Sequence, residues 1–453
     1  MSKFYPPKLT NLKEKMIRTF LLLLGLSLCA CIQGNSQTKE WHAYTEHFCE
    51  VYRSLRLPGL QLSFIKNLAN LDEGRSIQDQ LEAFTTLKTQ LNEFTPKSEE
   101  WSVQALLDYQ LIDYEITLNL MRIQWALKWK AALPIKEDTE KMLDLPFGKE
   151  WYEYSLKRWL DLEASPDAIF AFGKKEIQKV KQQMKAIQES SGMDSIQFEK
   201  HLNDPSFFYT NKDSIQQAFE VIRAEMNTIA PKFFPFTSGI LDVEIERGTD
   251  SRHAQVPAFY RSGTFYYNLF DEPFNKRQIK WFFMHEGVPG HHYEVSLRQE
   301  LPRSSVQRLS SYGAYAEGWA AYIETIGWEI GLFDNIYDDY GRLEWDLIRS
   351  VRVPMDVGIN YYGWDDDEAM AFWKTHISNQ DHIGQREIAR MKRWPCQVVT
   401  YKYGADKLLK WKAQMKQEDD FDLKDFHQKM LEHGPMPYSI LEDIVFENKK
   451  RND

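Results

Sequence analysis

Helical periodicity along almost the whole chain is the feature that most restricts its fold. Between Ser76 and Phe94, apolar residues occur at positions 77, 81, 84, 87 and 91, which places them on one face of an α-helix. Ser165 is a suitable helix cap, Pro166 suits the first helical position, and Gly192 stands where that helix would end. Further helices are predicted at 98–133 and 213–229. Because the segment 98–133 is apolar on several faces, we expect it to be a buried central helix.

One segment, 234–270, departs from this pattern. Its stretches ILDVEIERG and SGTFYYNLF alternate and are rich in β-branched and aromatic residues, so they predict a small antiparallel sheet. Helices resume at Asn275 and continue to Phe446. The predicted fold class is mainly α, a large helical domain with a small antiparallel β-sheet next to the helix that follows it. The helical region 41–233 and the region 234–446 are expected to form one continuous domain, and 447–453 is a solvated tail.

The N-terminus predicts export. A basic start is followed by an apolar run from Phe20 to Leu28, which is too short to span a bilayer and is typical of a signal peptide. Leu-Cys-Ala-Cys, ending at Cys31, resembles the lipobox of bacterial lipoproteins. The sequence therefore predicts a signal at 1–30, lipid on the Cys31 thiol, a tether at 31–40 and anchorage outside the cytoplasm, in the outer membrane. An ordinary secretory signal is the alternative.

The net charge argues against a nucleic-acid partner, and the cysteine content leaves open whether a disulfide forms. The formal net charge of −10 becomes −14 once residues 1–30, with five basic residues and one acidic residue, are removed. No basic stripe offsets this charge, so a nucleic-acid partner is not expected. Cys49 and Cys396 remain. They could pair in an exported protein, but a chain of this size does not need a disulfide, and we expect buried free thiols.

The stretch HEGVPGHH, His285–His292, carries the residue types of a zinc site. A hydrolytic zinc site needs three protein ligands and a carboxylate that acts as general base. In an unbroken helix His291 would lie roughly 240° around the axis from His285, and His292 would lie ~10.5 Å along it. Pro289 removes a backbone donor and Gly290 tolerates unusual geometry, so a local bulge could return His291 to the metal. A capped helix end with surface histidines is the alternative, and so is His292 as the ligand.

The stretch EGWAAYIE, Glu317–Glu324, begins 26 residues after His291 and offers a third ligand. Glu317 has aromatic and small neighbours, which indicates a buried carboxylate that needs a partner. The small residues would let the two metal-bearing helices approach. Glu324 lies two turns later on nearly the same face, where it could accept a hydrogen bond from a ligand imidazole. A surface carboxylate is the alternative for Glu317.

Together these residues resemble a known family. HEGVPGHH is similar to the HExxPGH motif of the bacterial family called domain of unknown function 885, which is grouped with zinc metallopeptidases. EGWAAYIE resembles the segment of gluzincin aminopeptidases in which the Glu is the third zinc ligand. The longer spacing between the histidines has a parallel in dipeptidyl peptidase III.

The resemblance extends from about Trp41 to Phe446, through SGTFYYNLFDEP, RSVRVPMDVGINYYGW, PCQVVTYKYG and GPMPYSILEDIV. Two positions depart from the family pattern. Asn360 stands where the family has a histidine, and Cys396 stands in place of the glycine of a Pro-Gly-Gln segment.

The resemblance and the residues imply a set of roles. His285, His291 and Glu317 would bind zinc, and Glu286 would pass a proton from the attacking water to the leaving amine. Tyr401 is the candidate donor to the oxyanion, with a core tyrosine as the alternative. Arg349 and Arg352 share a helix face and either hold a peptide carboxylate or form structural salt bridges. The remaining residues expected near the site or the substrate are His292, Glu324, Asp356, Asn360 and Lys402. The strand Gly263–Leu269 could offer its edge to an extended peptide.

The sequence thus predicts a lipid-anchored zinc metallopeptidase acting on peptides. One alternative is a helical binding lipoprotein whose activity is weakened or lost at Asn360. Another is a zinc amidase that acts on a non-peptide amide.

Overall fold

Helices dominate the structure, a computed structural model that describes residues 38–57, 75–96, 101–130, 139–236, 238–240, 242–249, 256–269, 273–418 and 420–447. The predicted signal and residues 31–37 of the predicted tether, including Cys31, lie outside these residues, whereas residues 38–40 of that tether are helical and begin the first helix. The helices are α1 (38–54), α2 (Ile77–Leu91), α3 (Val103–Lys130), α4 (Gly148–Trp159), α5 (Pro166–Ser190), α6 (Ser195–Leu202), α7 (Lys212–Phe233), α8 (Ile279–Glu286), α9 (His291–Glu300), α10 (Gly313–Glu324), α11 (Ile336–Val357), α12 (Asp366–His376), α13 (Asp381–Arg393), α14 (Thr400–Met415), α15 (Leu423–Leu431) and α16 (Tyr438–Glu442). The strands are β1 (Phe208–Tyr209), β2 (Glu244–Arg247), β3 (Ala258–Arg261), β4 (Thr264–Tyr267) and β5 (Phe274–Asn275).

Local signals set the ends of several helices. The Ser76 hydroxyl accepts a hydrogen bond from the Asp79 amide at the start of α2. Pro166 occupies the first turn of α5, and Gly192, just beyond its end, has a φ of +72°. Asn335 caps α11 through the amides of Tyr337 and Asp338. Pro166 and Gly192 are the end signals that the sequence predicted, whereas the side chain of Ser165, the expected cap of α5, makes no capping hydrogen bond among the described residues.

The predicted fold class, mainly helical with a small antiparallel sheet, is confirmed. Strands β3 and β4 form an antiparallel hairpin, and Ser262 and Gly263 both have positive φ at its two-residue turn. β1 and β5 form a second antiparallel pair. β2 joins β4 in parallel, giving the order β2-β4-β3. The prediction of a free edge on the strand Gly263–Leu269 was wrong, because β4 is the central strand and is paired on both sides.

The sheet packs against α8, the helix that carries His285. Phe265 of β4 contacts Phe283 of α8 edge-on, with ring centroids 6.0 Å apart. On α7, Phe219 packs against Phe265 and Tyr267. These aromatic contacts hold α8 in a fixed position relative to the sheet.

The hydrophobic core runs through both predicted regions, from Trp41 to Ile444. At one contact between them, Gly173 of α5 faces α11 so closely that an added Cβ would lie 2.5 Å from Cδ of Pro354. Cys49 and Cys396 are both buried and free. In the part of the chain that the structure describes, none of the helices combines the length and the apolar character needed to cross a bilayer.

Two glycines bring α10 against α14. A Cβ on Gly404 would lie 2.4 Å from the Ala314 carbonyl oxygen and 2.5 Å from Cα of Gly318. Gly318 is one of the small residues that we expected to let the two metal-bearing helices approach each other. It admits α14 instead, and α14 carries Tyr401.

Candidate metal centre

The helix that carries His285 ends directly after Glu286. The Gly287 amide donates to the Phe283 carbonyl, 2.8 Å away, and α9 begins at His291 after a turn that contains the cis Val288–Pro289 peptide bond. A Cβ on Gly290 would lie 1.9 Å from the carbonyl oxygen of His285, so only glycine fits. The extra residues therefore form a break between two helices, where we expected a bulge within one.

His285, His291 and Glu317 come together as a candidate metal site. One ligand atom from each lies within 4.8 Å of the others. Oε2 of Glu317 is 3.3 Å from Nε2 of His291 and 3.8 Å from Nε2 of His285. Ligand atoms ~2.0–2.1 Å from a tetrahedral zinc ion are roughly 3.3 Å apart, and the distance from Glu317 to His291 equals this value while the distance to His285 is longer. Glu317 Oε2 is buried without a well-aligned hydrogen-bond donor among the described residues, which also fits an acceptor meant for a metal.

The charges of these groups stabilise one another. Burial alone would lower the pKa of His291, but the Glu317 carboxylate, together with Glu286 and Glu294, raises it to about 9. Burial would raise the pKa of Glu317, but His291, His285 and Arg390 lower it to about 2. A deprotonated carboxylate is the form that binds a metal ion, whereas His291 must release its proton to do so.

Glu324 lies behind the candidate site. Its Oε1 is 2.6 Å from Nδ1 of His285, on the far side of the ring from the nitrogen that faces Glu317. Arg349 donates to both oxygens of the same carboxylate, at 2.7 Å to Oε1. This pair fixes the His285 ring in the orientation needed for Nε2 to bind a metal. It also assigns Arg349 to the salt bridge, one of the two roles that the sequence left open.

His292 points away from the candidate ligands. Its Nε2 lies 2.9 Å from the Ile240 carbonyl oxygen, and its ring contacts Tyr260 edge-on. Burial lowers its pKa. Of the two adjacent histidines, therefore, the structure brings His291 to Glu317, and His292 joins α9 to the segment before β2.

Tyr401 stands beside His285. The two rings are stacked with centroids 6.1 Å apart. The Tyr401 hydroxyl accepts hydrogen bonds from Arg390, at 3.2 Å, and from Gln397, at 3.4 Å. Burial, followed by the Glu317 charge, raises the pKa of Tyr401, so the hydroxyl keeps its proton at neutral pH. Its oxygen already accepts two hydrogen bonds, so the hydroxyl still has a proton to donate.

The comparisons with known proteins can be set against this geometry. A family described as "Bacterial protein of unknown function (DUF885)" matches residues 65–445. This chain belongs to that family. No curated protein matches the chain.

This DUF885 chain is similar to several solved structures, and the first two described here share its fold. A candidate lipoprotein from Colwellia psychrerythraea is 22% identical, with a TM-score of 0.63, over 83% of this chain and 70% of that one. A candidate lipoprotein of unknown function from Shewanella oneidensis is 16% identical, with a TM-score of 0.58, over 84% and 75% of the two chains. Metallocarboxypeptidase 1 from Trypanosoma cruzi is 9% identical, with a TM-score of 0.47, over 91% and 98%.

Three residues predicted near the site have their contacts elsewhere in this DUF885 chain. Lys402 pairs with Glu176 at 2.9 Å and with Asp346 at 2.6 Å. Asp356, fully buried, accepts from the Tyr152 hydroxyl at 2.7 Å and from the Cys396 amide at 3.0 Å. Burial raises the pKa of Asp356 to about 7. These contacts support the packing of α4, α5, α11 and α14, and none of them is to the three candidate ligands.

Asn360 is the third of these residues and one of the two departures from the family pattern. Its amide nitrogen donates to the carbonyls of Asp356 and Met391, each at 3.2 Å, and it is fully buried. The other departure, Cys396, has a φ of +70°, a conformation that favours glycine. The positive φ explains why the family has glycine at this position of its Pro-Gly-Gln segment. Both departures from the family pattern lie among structural contacts.

Sequence reasoning missed Arg390. It lies on α13, contacts Tyr401 and Gln397 through Nη2, and its charge reaches Glu317. Spacing gave a partial signal, because Arg386 and Glu387 lie four and three residues before Arg390, on the same side of the helix. Nothing local indicated that this face is directed at Tyr401.

Proposed function

We propose that this chain is a zinc-dependent metallopeptidase of the gluzincin type, held at a membrane by lipid on Cys31. The HEGVPGH segment would serve as its HExxPGH motif. The observation that carries the proposal is the convergence of two imidazoles and one carboxylate on a single point, with a further carboxylate, Glu286, next to the first ligand. This donor set is the one that hydrolytic zinc sites use.

The chain's own residues supply the remaining parts of amide hydrolysis. His285, His291 and Glu317 would hold the zinc ion. When bound, zinc supplies a Lewis acid that polarises the scissile carbonyl and acidifies the attacking water. Glu286 would take the proton from that water and deliver it to the leaving amine. Tyr401 would donate its hydroxyl proton in a hydrogen bond to the oxyanion that forms.

Export and anchorage belong to the same proposal. The lipobox ending at Cys31 supports them, and two structures that share the fold are described as lipoproteins. We propose the outer membrane as the location. Cys31→Ser should release the protein from the detergent-soluble membrane fraction into the aqueous fraction, and a protein that stays in the membrane fraction would contradict lipid attachment there.

Metal content and turnover test the enzymatic proposal together. Purified protein should hold close to one zinc ion per chain, and His285→Ala should lose it. Glu286→Gln should keep the zinc but lower the hydrolysis of a peptide mixture by about 10²–10⁴-fold, the usual contribution of a general base. Turnover unchanged in Glu286→Gln would exclude this mechanism. Bound zinc without turnover in the wild type would favour the binding lipoprotein.

A further inference from the structure

The turn between α8 and α9 buries backbone groups that neither helix serves. Residues 287–290, which form this turn, are all buried. In an unbroken helix the Tyr293 amide would donate to the Pro289 carbonyl, four residues earlier. Here that amide donates to the Gly287 carbonyl instead, at 3.4 Å. The Pro289 carbonyl therefore needs another donor, because a buried carbonyl without one is costly.

Trp319 supplies that donor from α10, the helix that carries Glu317. Its indole Nε1 donates to the Pro289 carbonyl oxygen at 2.8 Å, and the residue is almost fully buried. Pro289 lies two positions before His291, whose Nε2 is 3.3 Å from Oε2 of Glu317. The hydrogen bond thus connects the elements that carry two of the candidate ligands, and it does so through protein atoms alone.

The indole ring is itself held by three aromatic rings. Those of Phe234, Tyr322 and His427 have centroids 6.4, 5.8 and 5.5 Å from it. The His427 ring is fixed in turn, because its Nδ1 lies 2.6 Å from the Phe233 carbonyl oxygen and its Nε2 lies 2.9 Å from the Tyr322 hydroxyl oxygen. The indole N–H therefore has one direction, as a side chain that positions a neighbour requires.

We propose that Trp319 is a positioning residue for the metal centre, and that its indole N–H holds the turn so that His291 stays beside Glu317. The proposal rests on the proposed zinc site and adds a residue that does not touch the metal. The turn already lies against α8 at Gly290, where a Cβ would be 1.9 Å from the His285 carbonyl oxygen. A ligand that is held before the metal arrives loses less conformational freedom on binding, so the site binds the metal more tightly.

Zinc affinity, measured by competition with a fluorescent chelator, tests the role of the N–H. Trp319→Phe removes it and should weaken zinc binding about tenfold, the lower end of the usual effect of losing a supporting hydrogen bond near a metal. Trp373→Phe is the matched control, because Trp373 is also fully buried and its Nε1 has no hydrogen-bond partner among the described residues. It removes the same atoms without breaking a hydrogen bond and should keep the wild-type affinity. Equal affinity in all three proteins, or an equal loss in the two variants, would overturn the proposal.

A second replacement separates the hydrogen bond from the packing of the ring. Benzothienylalanine at position 319 keeps the size and shape of the indole but carries sulfur in place of the N–H. If the hydrogen bond positions the turn, this protein should bind zinc as weakly as Trp319→Phe. Affinity restored to the wild-type value would show that only the ring matters, against the proposal. The same replacement is used alone if Trp319→Phe unfolds in a thermal melt.

Amide hydrogen exchange in the metal-free protein reports on the turn directly. Peptides that cover residues 287–294 should exchange about tenfold faster in the benzothienylalanine protein than in the wild type, the effect of losing one buried hydrogen bond. Peptides from α12, which is remote in sequence from the turn, should exchange at an unchanged rate. Faster exchange everywhere would mean a general loss of stability, and unchanged exchange at 287–294 would mean that the N–H does not fix the turn. Either result contradicts the proposal.

Two outcomes separate the role of Trp319 from the zinc site itself. A wild type that binds no zinc would refute both the proposed function and the role of Trp319. Zinc bound equally tightly with and without the indole N–H would leave the zinc site standing and refute only the role of Trp319.

Discussion

At the scale of single residues, Glu324 would support the proposed metal site without binding the metal itself. It contacts His285 Nδ1 and receives the Arg349 guanidinium, so its charge and its position are both fixed. We predict that Glu324→Gln weakens zinc affinity about 10–100-fold, the usual effect of losing such a partner. Competition with a fluorescent chelator measures it. Glu329→Gln, which alters a surface carboxylate paired with Lys412 and Lys416, should leave the affinity unchanged.

Asp356 gives a prediction about pH. Its pKa of about 7 in the folded protein lies above the ordinary value of 3.8. Between these values the unfolded chain releases the proton and the folded protein keeps it, so this residue's contribution to stability is present at low pH and is lost as pH rises towards 7. The free energy of unfolding of Asp356→Asn, relative to that of the wild type, should therefore be higher at pH 8 than at pH 5, by on the order of 2–3 kcal/mol.

Urea unfolding at the two pH values measures that change. Asp367→Asn, at an exposed position on α12, should differ from the wild type by the same small amount at both. If the difference in unfolding free energy between the wild type and Asp356→Asn were the same at pH 5 and pH 8, the Asp356 carboxyl would not titrate in this range.

At the scale of elements, the contact between α10 and α14 depends on glycine. The Gly404→Ala methyl group would meet backbone atoms of Ala314 and Gly318, which cannot rotate away. We expect the two helices to separate slightly and the free energy of unfolding to fall by about 1–3 kcal/mol, as in other overpacked contacts. Because α14 carries Tyr401, peptide turnover should fall as well.

Chemical denaturation and turnover check this prediction. Gln414→Ala, at an exposed position of the same helix, is the control and should shift stability by less than about 0.5 kcal/mol. A Gly404→Ala protein as stable as the wild type would show that α10 and α14 can move apart at no cost.

At the scale of the whole molecule, the three candidate ligands come from α8, α9 and α10, so a bound metal would join these three helices within the hydrophobic core. A ligand that binds only the folded state raises stability, by about 4 kcal/mol when it is present at a thousand times its Kd. Removing zinc with a chelator should therefore lower the melting temperature, and adding zinc back should restore it. His291→Ala should melt at the same temperature with and without zinc. A wild type that melts identically in both conditions would contradict a metal site at these residues.

The sequence by itself determined the features that depend on near neighbours. Helix periodicity placed α2 and α5, the Ser262-Gly263 turn lay inside the predicted strand region, and Pro289 with Gly290 indicated a disturbed helix after His285. Backbone propensity, helix capping and hydrophobic periodicity all act within a few residues, so they can be recognised from a single sequence.

Only the tertiary structure decided which distant residues meet. In the folded protein His291, and not His292, lies beside Glu317. Arg349 forms a salt bridge with Glu324, and Asn360 donates to backbone carbonyls in the core. It also paired β4 on both sides and brought Arg390 to Tyr401. These contacts depend on the angles and positions at which helices and strands pack in three dimensions. The whole core sets that packing, so the spacing of residues within one segment does not predict it.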